Sequence, residues 1–299
     1  MTRDSSHPVA REGHVPVGSA GLFYRDIGHG APIVVLHGGP EFDHGYLLPE
    51  MDRLADSFRL IYYDQRGRGR SADGVHPEDV GIESDVEDLE SLRRWFELDS
   101  IIVLGHSWGG VLAMEYTVRH PKHVSRLVLI NTAPASHPDV QLLRDHFRNI
   151  RPAGDAERMA SLRATTAFVD GDLEVEAEYY RIHYGLALPR PEHVERVVGR
   201  LRTNVTSEGV LKARAIEERL YEQTWSLPDY DLVSQLSRLD TPTLVIHGDK
   251  DFVPVELAAR IADAMPRGRL IVIPGCGHFA YLEFTDLIHT HITSFVQAN

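Results

Sequence analysis

The 299-residue sequence has one cysteine, few basic residues relative to acidic ones, and no long apolar segment. A single cysteine, Cys276, cannot form an intrachain disulfide, so the fold needs no oxidising compartment and we expect the cytoplasm. Lys and Arg number 31 against 44 Asp and Glu, which gives a net charge of -13. This acidic balance argues against nucleic acid, because phosphate binding needs a concentrated basic surface. Without a run of about 18 apolar residues, no membrane contact is expected either.

Spacings typical of metal or dinucleotide sites are also missing. Neither H-E-x-x-H nor C-x-x-C occurs, and we expect no metal and no cofactor. His289 and His291 are two residues apart on a predicted helix, so they cannot face one ligand together. Residues 67–72 fit G-x-G-x-x-A, but the stretch that follows is rich in turn residues and offers no helix N-terminus to a pyrophosphate.

The chain does contain short continuous apolar runs, rich in β-branched residues, of the kind found in strands buried on both faces of a parallel sheet. These runs are residues 32–36, 59–63, 100–104, 126–130, 243–246 and 269–273. A hairpin precedes them, with strands at 14–17 and 22–26 and a turn at 18–21.

Helical patterns separate these runs. In residues 84–98 the apolar side chains recur at helical spacing, namely Val86, Leu89, Leu92 and Trp95, and residues 108–119 and 254–265 show similar patterns. Strands that alternate with helices in this way predict an α/β fold with a mostly parallel, doubly wound sheet.

The alternation stops after Asn131 and resumes near Thr241. Five segments between them have helical patterns: 140–150, 156–169, 173–184, 191–201 and 208–221. We therefore expect a core of residues 1–133 and 239–299 that carries a helical cap of residues 134–238. Since the insertion follows a strand, the cap should lie beside the carboxyl ends of the strands, where ligands bind in such folds.

The segment Gly105-His106-Ser107-Trp108-Gly109 matches G-x-S-x-G. A predicted strand precedes it and a predicted helix follows it, as this motif requires. A sharp strand-to-helix turn needs small flanking residues and lifts the serine hydroxyl above the edge of the sheet. Ser107 is therefore the predicted nucleophile.

A serine nucleophile needs a base oriented by a carboxylate, and in this context the chain order is serine, acid, histidine. Asp249 and Asp251 follow the predicted strand 243–246, and His278 follows the predicted strand 269–273. All three lie in loops at the carboxyl ends of strands. The residues by themselves leave Asp249 and Asp251 both open as the acid.

Other histidines are weaker candidates for the base. The ring of His106 should point away from Ser107 in a tight turn, and His37 should hold the loop that it begins. His120 and His123 follow the helix after Ser107 and should lie far from it. An oxyanion hole needs two backbone N–H groups, which we assign to Trp108, directly after the nucleophile, and to Gly39 in the loop after residues 32–36.

Three motifs resemble those of the α/β-hydrolase superfamily, and most closely those of its proline iminopeptidase family. HGGPE at 37–41 is similar to that family's HGGPG, DQRGRGRS at 64–71 to its DQRGxGxS, and GHSWGG at 105–110 to its elbow. The resemblance implies a cofactor-independent hydrolase that releases N-terminal proline from short peptides. It further implies a Ser107, His278, Asp251 triad, which selects Asp251 over Asp249, and an oxyanion hole of Gly39 and Trp108.

Two departures leave the substrate open. Glu41 stands where the family has glycine, and His106 stands where it has a small residue. The family binds the substrate amine with cap carboxylates, and the candidates here are Glu174, Glu176, Glu178, Glu192, Glu195, Glu217, Glu218 and Glu222. Alternatives are a carboxylesterase, a lactonase or a C–C bond hydrolase acting on a small acyl compound and, more remotely, a ligand receptor without turnover.

Overall fold

The computed structural model describes residues 9–18, 20–203 and 205–298, and a single sheet forms its centre. The eight strands are β1 (Arg11–Val17), β2 (Ala20–Gly28), β3 (Pro32–Leu36), β4 (Arg59–Tyr63), β5 (Ile101–His106), β6 (Val124–Ile130), β7 (Thr243–Gly248) and β8 (Gly268–Ile273). Their spatial order is β1-β2-β4-β3-β5-β6-β7-β8. β1 pairs antiparallel with β2, and β2 pairs antiparallel with β4, whereas all other neighbours are parallel.

The predicted α/β class and the mostly parallel sheet are confirmed, and every apolar run forms a strand. The predicted hairpin is β1 and β2, although residue 19 of its turn lies outside the described residues. The prediction that the last run is buried on both faces is wrong. β8 is an edge strand with a neighbour on one side only, and Arg269 and Val272 are exposed.

Twelve α-helices accompany the sheet in the described part of the chain. They are α1 (Ile82–Trp95), α2 (Trp108–Arg119), α3 (His137–Ile150), α4 (Ala153–Arg163), α5 (Thr166–Val169), α6 (Leu173–Gly185), α7 (Pro191–Leu201), α8 (Ser207–Glu222), α9 (Val233–Leu236), α10 (Val255–Ala264), α11 (Ala280–Glu283) and α12 (Thr285–Gln297). No helix among the described residues combines the length and the apolar character needed to cross a bilayer.

Alternate strand residues pack against opposite faces of the sheet. Val34 and Leu36 of β3 join a core with α1, α2 and α10, whereas Ile33 and Val35 join a second core with α12. Trp95 departs from its predicted place in the first core. Val86, Leu89 and Leu92 are buried, but Trp95, at the end of α1, is 51% exposed.

The helices α3 to α9 lie between β6 and β7 in the chain, where the insertion was predicted. The segment 156–169 is two helices rather than one, because the Thr165 hydroxyl accepts a hydrogen bond from the Phe168 N–H and begins a new helix, α5. Ser136 and Asp231 form a bridge at the base of the insertion. α7 packs against the 3₁₀ turn His44–Leu47 and α8 against the 3₁₀ turn Pro77–Asp79, so the helices cover loops at the carboxyl ends of β3 and β4.

Candidate active site

Ser107 lies in the sharp turn between β5 and α2. Its φ of 54° and ψ of -120° are unusual for a residue with a side chain, and they raise the serine above the end of the strand. Glycine is required on both sides. A Cβ on Gly105 would lie 2.2 Å from the Gly109 carbonyl oxygen, and a Cβ on Gly109 would lie 2.3 Å from that of Leu36. The sequence around Ser107 therefore suits this close strand-turn-helix packing.

Ser107, His278 and Asp251 form one hydrogen-bonded chain, although three separate loops contribute them. His278 Nε2 lies 3.0 Å from Ser107 Oγ. Its Nδ1 lies 2.9 and 3.0 Å from the two carboxylate oxygens of Asp251. In this geometry a hydroxyl can pass its proton to an imidazole that a buried carboxylate orients, which is the arrangement of a serine nucleophile with its base.

Asp251 has further partners. Its Oδ1 accepts a hydrogen bond from the Val253 N–H at 2.9 Å, and its Oδ2 accepts one from Asn131 Nδ2 at 2.8 Å. Burial would raise the pKa of Asp251, but the facing His278 and His247, together with the Val253 N–H, hold this pKa below its usual value. The carboxylate thus stays ionised while it holds the His278 ring.

Asn131 was not predicted as a site residue. It follows β6 with a φ of 45°, a left-handed conformation that asparagine tolerates better than most residues. Its Nδ2 also donates to the Gly277 carbonyl oxygen at 2.9 Å, and its Oδ1 accepts from the Ala280 N–H at 3.2 Å. Asn131 therefore ties the Asp251 loop to the His278 loop. The sequence feature that could have indicated this role is an asparagine directly after a predicted buried strand.

Asp249, the other candidate acid, lies outside this chain of hydrogen bonds. Its Oδ1 accepts a hydrogen bond from the Gly275 N–H at 2.6 Å, so it joins the loops after β7 and β8 at the surface.

The rings of His106 and His37 form hydrogen bonds with groups other than the Ser107 hydroxyl. His106 Nδ1 lies 2.7 Å from the Tyr46 hydroxyl, and its Nε2 lies 2.9 Å from the His278 carbonyl oxygen. His37 Nε2 accepts a hydrogen bond from the Gln65 N–H at 3.1 Å. Burial lowers the pKa of His106 and of His37 to about 3, so both rings stay neutral. Neither is placed to accept a proton from Ser107.

The loop after β3 runs beside the Ser107 turn. A Cβ on Gly38 would lie 2.8 Å from Ser107 Cβ, and the Gly38 N–H donates to the Tyr46 hydroxyl at 2.6 Å. Gly39 has a φ of 52°, and the Phe42 ring occupies the space that a Cβ there would need. Trp108 is the first residue of α2. The structure thus brings the two predicted oxyanion residues onto neighbouring loops.

The DQRGRGRS segment supports this loop. Arg68 is fully buried, pairs with both carboxylate oxygens of Asp85 at 2.9 and 2.7 Å, and donates from Nε to the Pro40 carbonyl oxygen at 2.7 Å. Asp64 accepts hydrogen bonds from the backbone N–H and the Nδ1 of His44, at 3.1 and 2.6 Å. The motif therefore holds residues 40–44 in place.

Aromatic rings surround the triad. The rings of Trp108, Tyr221 and Trp225 lie 4.8 to 5.7 Å apart, which joins the Ser107 turn to α8. Phe252 stacks on the His278 ring at 4.3 Å. Such walls suit a compact apolar acyl group.

Two of the eight candidate glutamates of the insertion face the interior. Glu176 of α6 is buried and pairs with Arg214. Glu217 of α8 accepts a hydrogen bond from the Tyr221 hydroxyl at 2.7 Å, and burial followed by the charge of Glu176 raises the pKa of Glu217. The remaining candidates lie at the protein surface: Glu174, Glu178, Glu192, Glu195, Glu218 and Glu222.

Glu41, in the loop after β3 of the core, lies near Glu176 and Glu217 of the insertion. The Tyr180 hydroxyl donates to its Oε1 at 3.2 Å. Burial, and then the charges of Glu217 and Glu176, raise the pKa of Glu41 well above its usual value. Glu41, Glu176 and Glu217 are called the inner carboxylates below. Glu217 bonds to Tyr221, which packs on Trp108, so this carboxylate is linked to the Ser107 turn.

Two groups of side chains in the described part of the chain have metal-ligand atoms within 4.8 Å of one another. They are Glu90, His120 and His123, and Asp43, His44 and Asp64. In the first group Glu90 already pairs with Arg93 and Arg94, and in the second Asp64 already binds His44. Spacing along the chain did not indicate either group, because distant elements contribute the ligands. Neither group contains a residue of the triad.

Comparison with known proteins identifies relatives along almost the whole chain. Residues 31–285 match the family described as alpha/beta hydrolase fold. A proline iminopeptidase of Lactobacillus helveticus is 30% identical over 293 residues, covering 92% of this chain and 94% of that protein. A proline iminopeptidase of Saccharolobus solfataricus is 29% identical, covering 91% and 87%. The crystal structure of the Mycobacterium smegmatis proline iminopeptidase, 24% identical and covering 96% and 97%, superposes with a TM-score of 0.70, which shows a shared fold.

Proposed function

We propose that this protein releases N-terminal proline from short peptides. The proposal starts from the family: the chain belongs to the α/β-hydrolase family, close to its proline iminopeptidases, and is therefore a hydrolase. In this proposal Ser107 is the nucleophile, His278 the general base and Asp251 the acid of the triad. The proposed location is the cytosol, where the single buried thiol of Cys276 stays reduced.

The proposed reaction forms an acyl-enzyme. Ser107 Oγ attacks the carbonyl carbon of the first residue while His278 Nε2 takes the hydroxyl proton. The N–H groups of Gly39 and Trp108 stabilise the oxyanion that develops. His278 then gives the proton to the departing amine, the C–N bond breaks, and a water activated by the same imidazole hydrolyses the ester.

The observation that carries the peptidase proposal is Glu217, a half-buried carboxylate of the insertion that accepts a hydrogen bond from Tyr221 of the aromatic wall. Glu176 already pairs with Arg214, whereas Glu217 has no ion pair among the described residues. An acyl group without charge gains nothing from a carboxylate there, and its burial is costly. A proline residue has both an apolar ring for the walls and an ammonium group for the carboxylate. The proline iminopeptidases among the relatives support the same substrate.

A paired rate assay tests this proposal. Proline nitroanilide and a short-chain nitrophenyl ester are compared on the wild type, Ser107→Ala and His278→Ala. We expect proline amide turnover in the wild type and none above background in either variant, because the nucleophile or its base is missing. Ester turnover without amide turnover would leave a serine esterase or lactonase and exclude the peptidase. A burst with no steady turnover would indicate the ligand receptor.

The two aspartates of the loop after β7 provide a matched pair. Asp251→Asn should lower kcat by about 10⁴-fold, since an amide orients His278 in the wrong tautomer. Asp249→Asn removes the same charge two residues away, where the carboxylate bonds to the Gly275 N–H, and should change kcat by less than about threefold. With both variants folded, a larger loss in Asp249→Asn would refute the assignment of the acid.

A further inference from the structure

Glu41 follows the proposed oxyanion residue Gly39 by two positions, and its carboxylate is only partly satisfied. Its Oε1 accepts a hydrogen bond from the Tyr180 hydroxyl at 3.2 Å. Its Oε2 is shielded from solvent and has no hydrogen-bond partner among the described residues. The Tyr180 ring and the neighbouring Phe42 ring lie 5.6 Å apart. A buried acceptor oxygen without a donor is costly unless a ligand supplies one.

A cavity of about 430 Å³ lies between the core loops and the helices α6, α7 and α8, and Glu41 lines it together with Glu176 and Tyr180. The basic residues that line this cavity are Arg68, Arg70, Arg200, Arg202, Lys212 and Arg214. Five of them bind a carboxylate other than Glu41, and Lys212 donates to the Ala72 carbonyl oxygen. Within the described residues, therefore, the protein directs no cation at Glu41.

We infer that Glu41 binds the substrate's ammonium group from the core side and makes the enzyme selective for an unblocked N-terminal proline. This inference rests on the proposed function. A protonated proline nitrogen has two N–H bonds, so it can donate one to Glu41 and one to an inner carboxylate of the insertion, Glu176 or Glu217. An acylated proline has no such hydrogen, and its carbonyl oxygen would face the Glu41 carboxylate.

Binding at Glu41 should release a proton. The titratable groups that face Glu41 come from three elements: Tyr180, Tyr184 and Glu176 from α6, Glu217 and Tyr221 from α8, and Tyr46 from the 3₁₀ turn after β3. Burial and the two carboxylate charges raise the pKa of Glu41, which favours its protonated form in the free enzyme. An ammonium group beside it favours the carboxylate. The proton of Glu41 then passes to solvent, and the complex contains the ammonium and the carboxylate.

Calorimetry on the full-length Ser107→Ala protein tests this inference without turnover. Prolinamide is titrated at pH 7 in buffers of different ionisation enthalpy, which reports the number of protons released. We expect a net release of protons on binding. Adding Glu41→Gln should abolish that release and weaken binding by at least about tenfold, since a neutral amide replaces the charged acceptor. Glu192→Gln, at an exposed position on α7, is the matched control and should change neither quantity.

Glu41→Gly, which introduces the residue of the family motif, is a second variant in case the glutamine variant does not fold. It should show the same loss of proton release and of affinity. Equal affinity and equal proton release with and without Glu41 would overturn the inference and leave the proposed function standing. No binding of prolinamide to Ser107→Ala would overturn both.

Discussion

At the scale of single residues, burial of the Glu41 carboxyl group couples the stability of the protein to pH. Its pKa is raised on folding, so between the pKa of the unfolded chain and that of the folded protein the folded state binds more protons. Stability from this group is fully present below the unfolded pKa and is lost as pH rises toward the folded pKa. The loss is at most about 1.4 kcal/mol per pH unit.

Glu41→Gln removes this pH dependence because an amide does not titrate. Relative to the wild type, the variant should gain stability as pH rises from 4 to 8, with the smallest difference at pH 4. Urea unfolding of both proteins at each pH measures the difference. Glu192→Gln should run parallel to the wild type throughout. A Glu41→Gln difference that stays constant with pH would mean that Glu41 is ionised in the folded protein.

At the scale of elements, the β5-turn-α2 unit depends on close backbone approach. A Cβ on Gly109 would lie 2.3 Å from the Leu36 carbonyl oxygen, and the neighbouring β3 cannot move without breaking its pairing with β4 and β5. We expect Gly109→Ala to lower the free energy of unfolding by about 3 kcal/mol or more. Chemical denaturation provides the measurement.

Gly199, unlike Gly109, lies at a helical position with room for a side chain. Gly199 lies in α7, and a Cβ there would meet nothing within 4 Å. Gly199→Ala should raise the free energy of unfolding by about 0.5 to 1 kcal/mol, because alanine loses less backbone entropy in a helix. If the two glycine variants were equally stable, close packing of the elbow would not be what requires glycine at 109.

At the scale of the whole molecule, Arg200 links the insertion to the core. It donates from both terminal nitrogens to Glu50, at 2.7 and 2.9 Å, and from one of them to the Tyr46 carbonyl oxygen at 3.3 Å. Tyr46 in turn bonds to Gly38 and to His106. Placement of α7 is thereby connected to the loop beside Ser107.

Arg200→Met should loosen α7 from the core and lower the free energy of unfolding by about 1 to 2 kcal/mol. Limited proteolysis should then cleave the insertion faster than in the wild type. Arg158→Met is the control, because the exposed Arg158–Glu178 pair lies wholly within the insertion. That variant should be cleaved at the wild-type rate. Equal cleavage of both variants would show that the Arg200 pair does not hold the insertion.

Several features of the site depended on contacts that no local pattern contains. Asp249 and Asp251 follow the same strand, and the path of the loop after β7 decides that Asp251 meets His278. The sequence does not distinguish among the eight glutamates of the insertion as candidate ligands of the substrate amine. Helix packing turns only Glu176 and Glu217 inward. Asn131 was missed because its side chain bonds to residues more than 100 positions later in the chain.

Local residue patterns were enough to predict the alternation of strands and helices, the place of the insertion and the elbow at Ser107. Those features follow from residue periodicity and from tight-turn sterics, which act over a few neighbouring residues. Which carboxylates are buried, that Trp95 is exposed, that β8 lies at the edge of the sheet and that Glu41 lies beside the carboxylates of the insertion all depend on tertiary contacts. Burial and pKa depend on everything that packs around a group, and most of those neighbours come from distant parts of the chain.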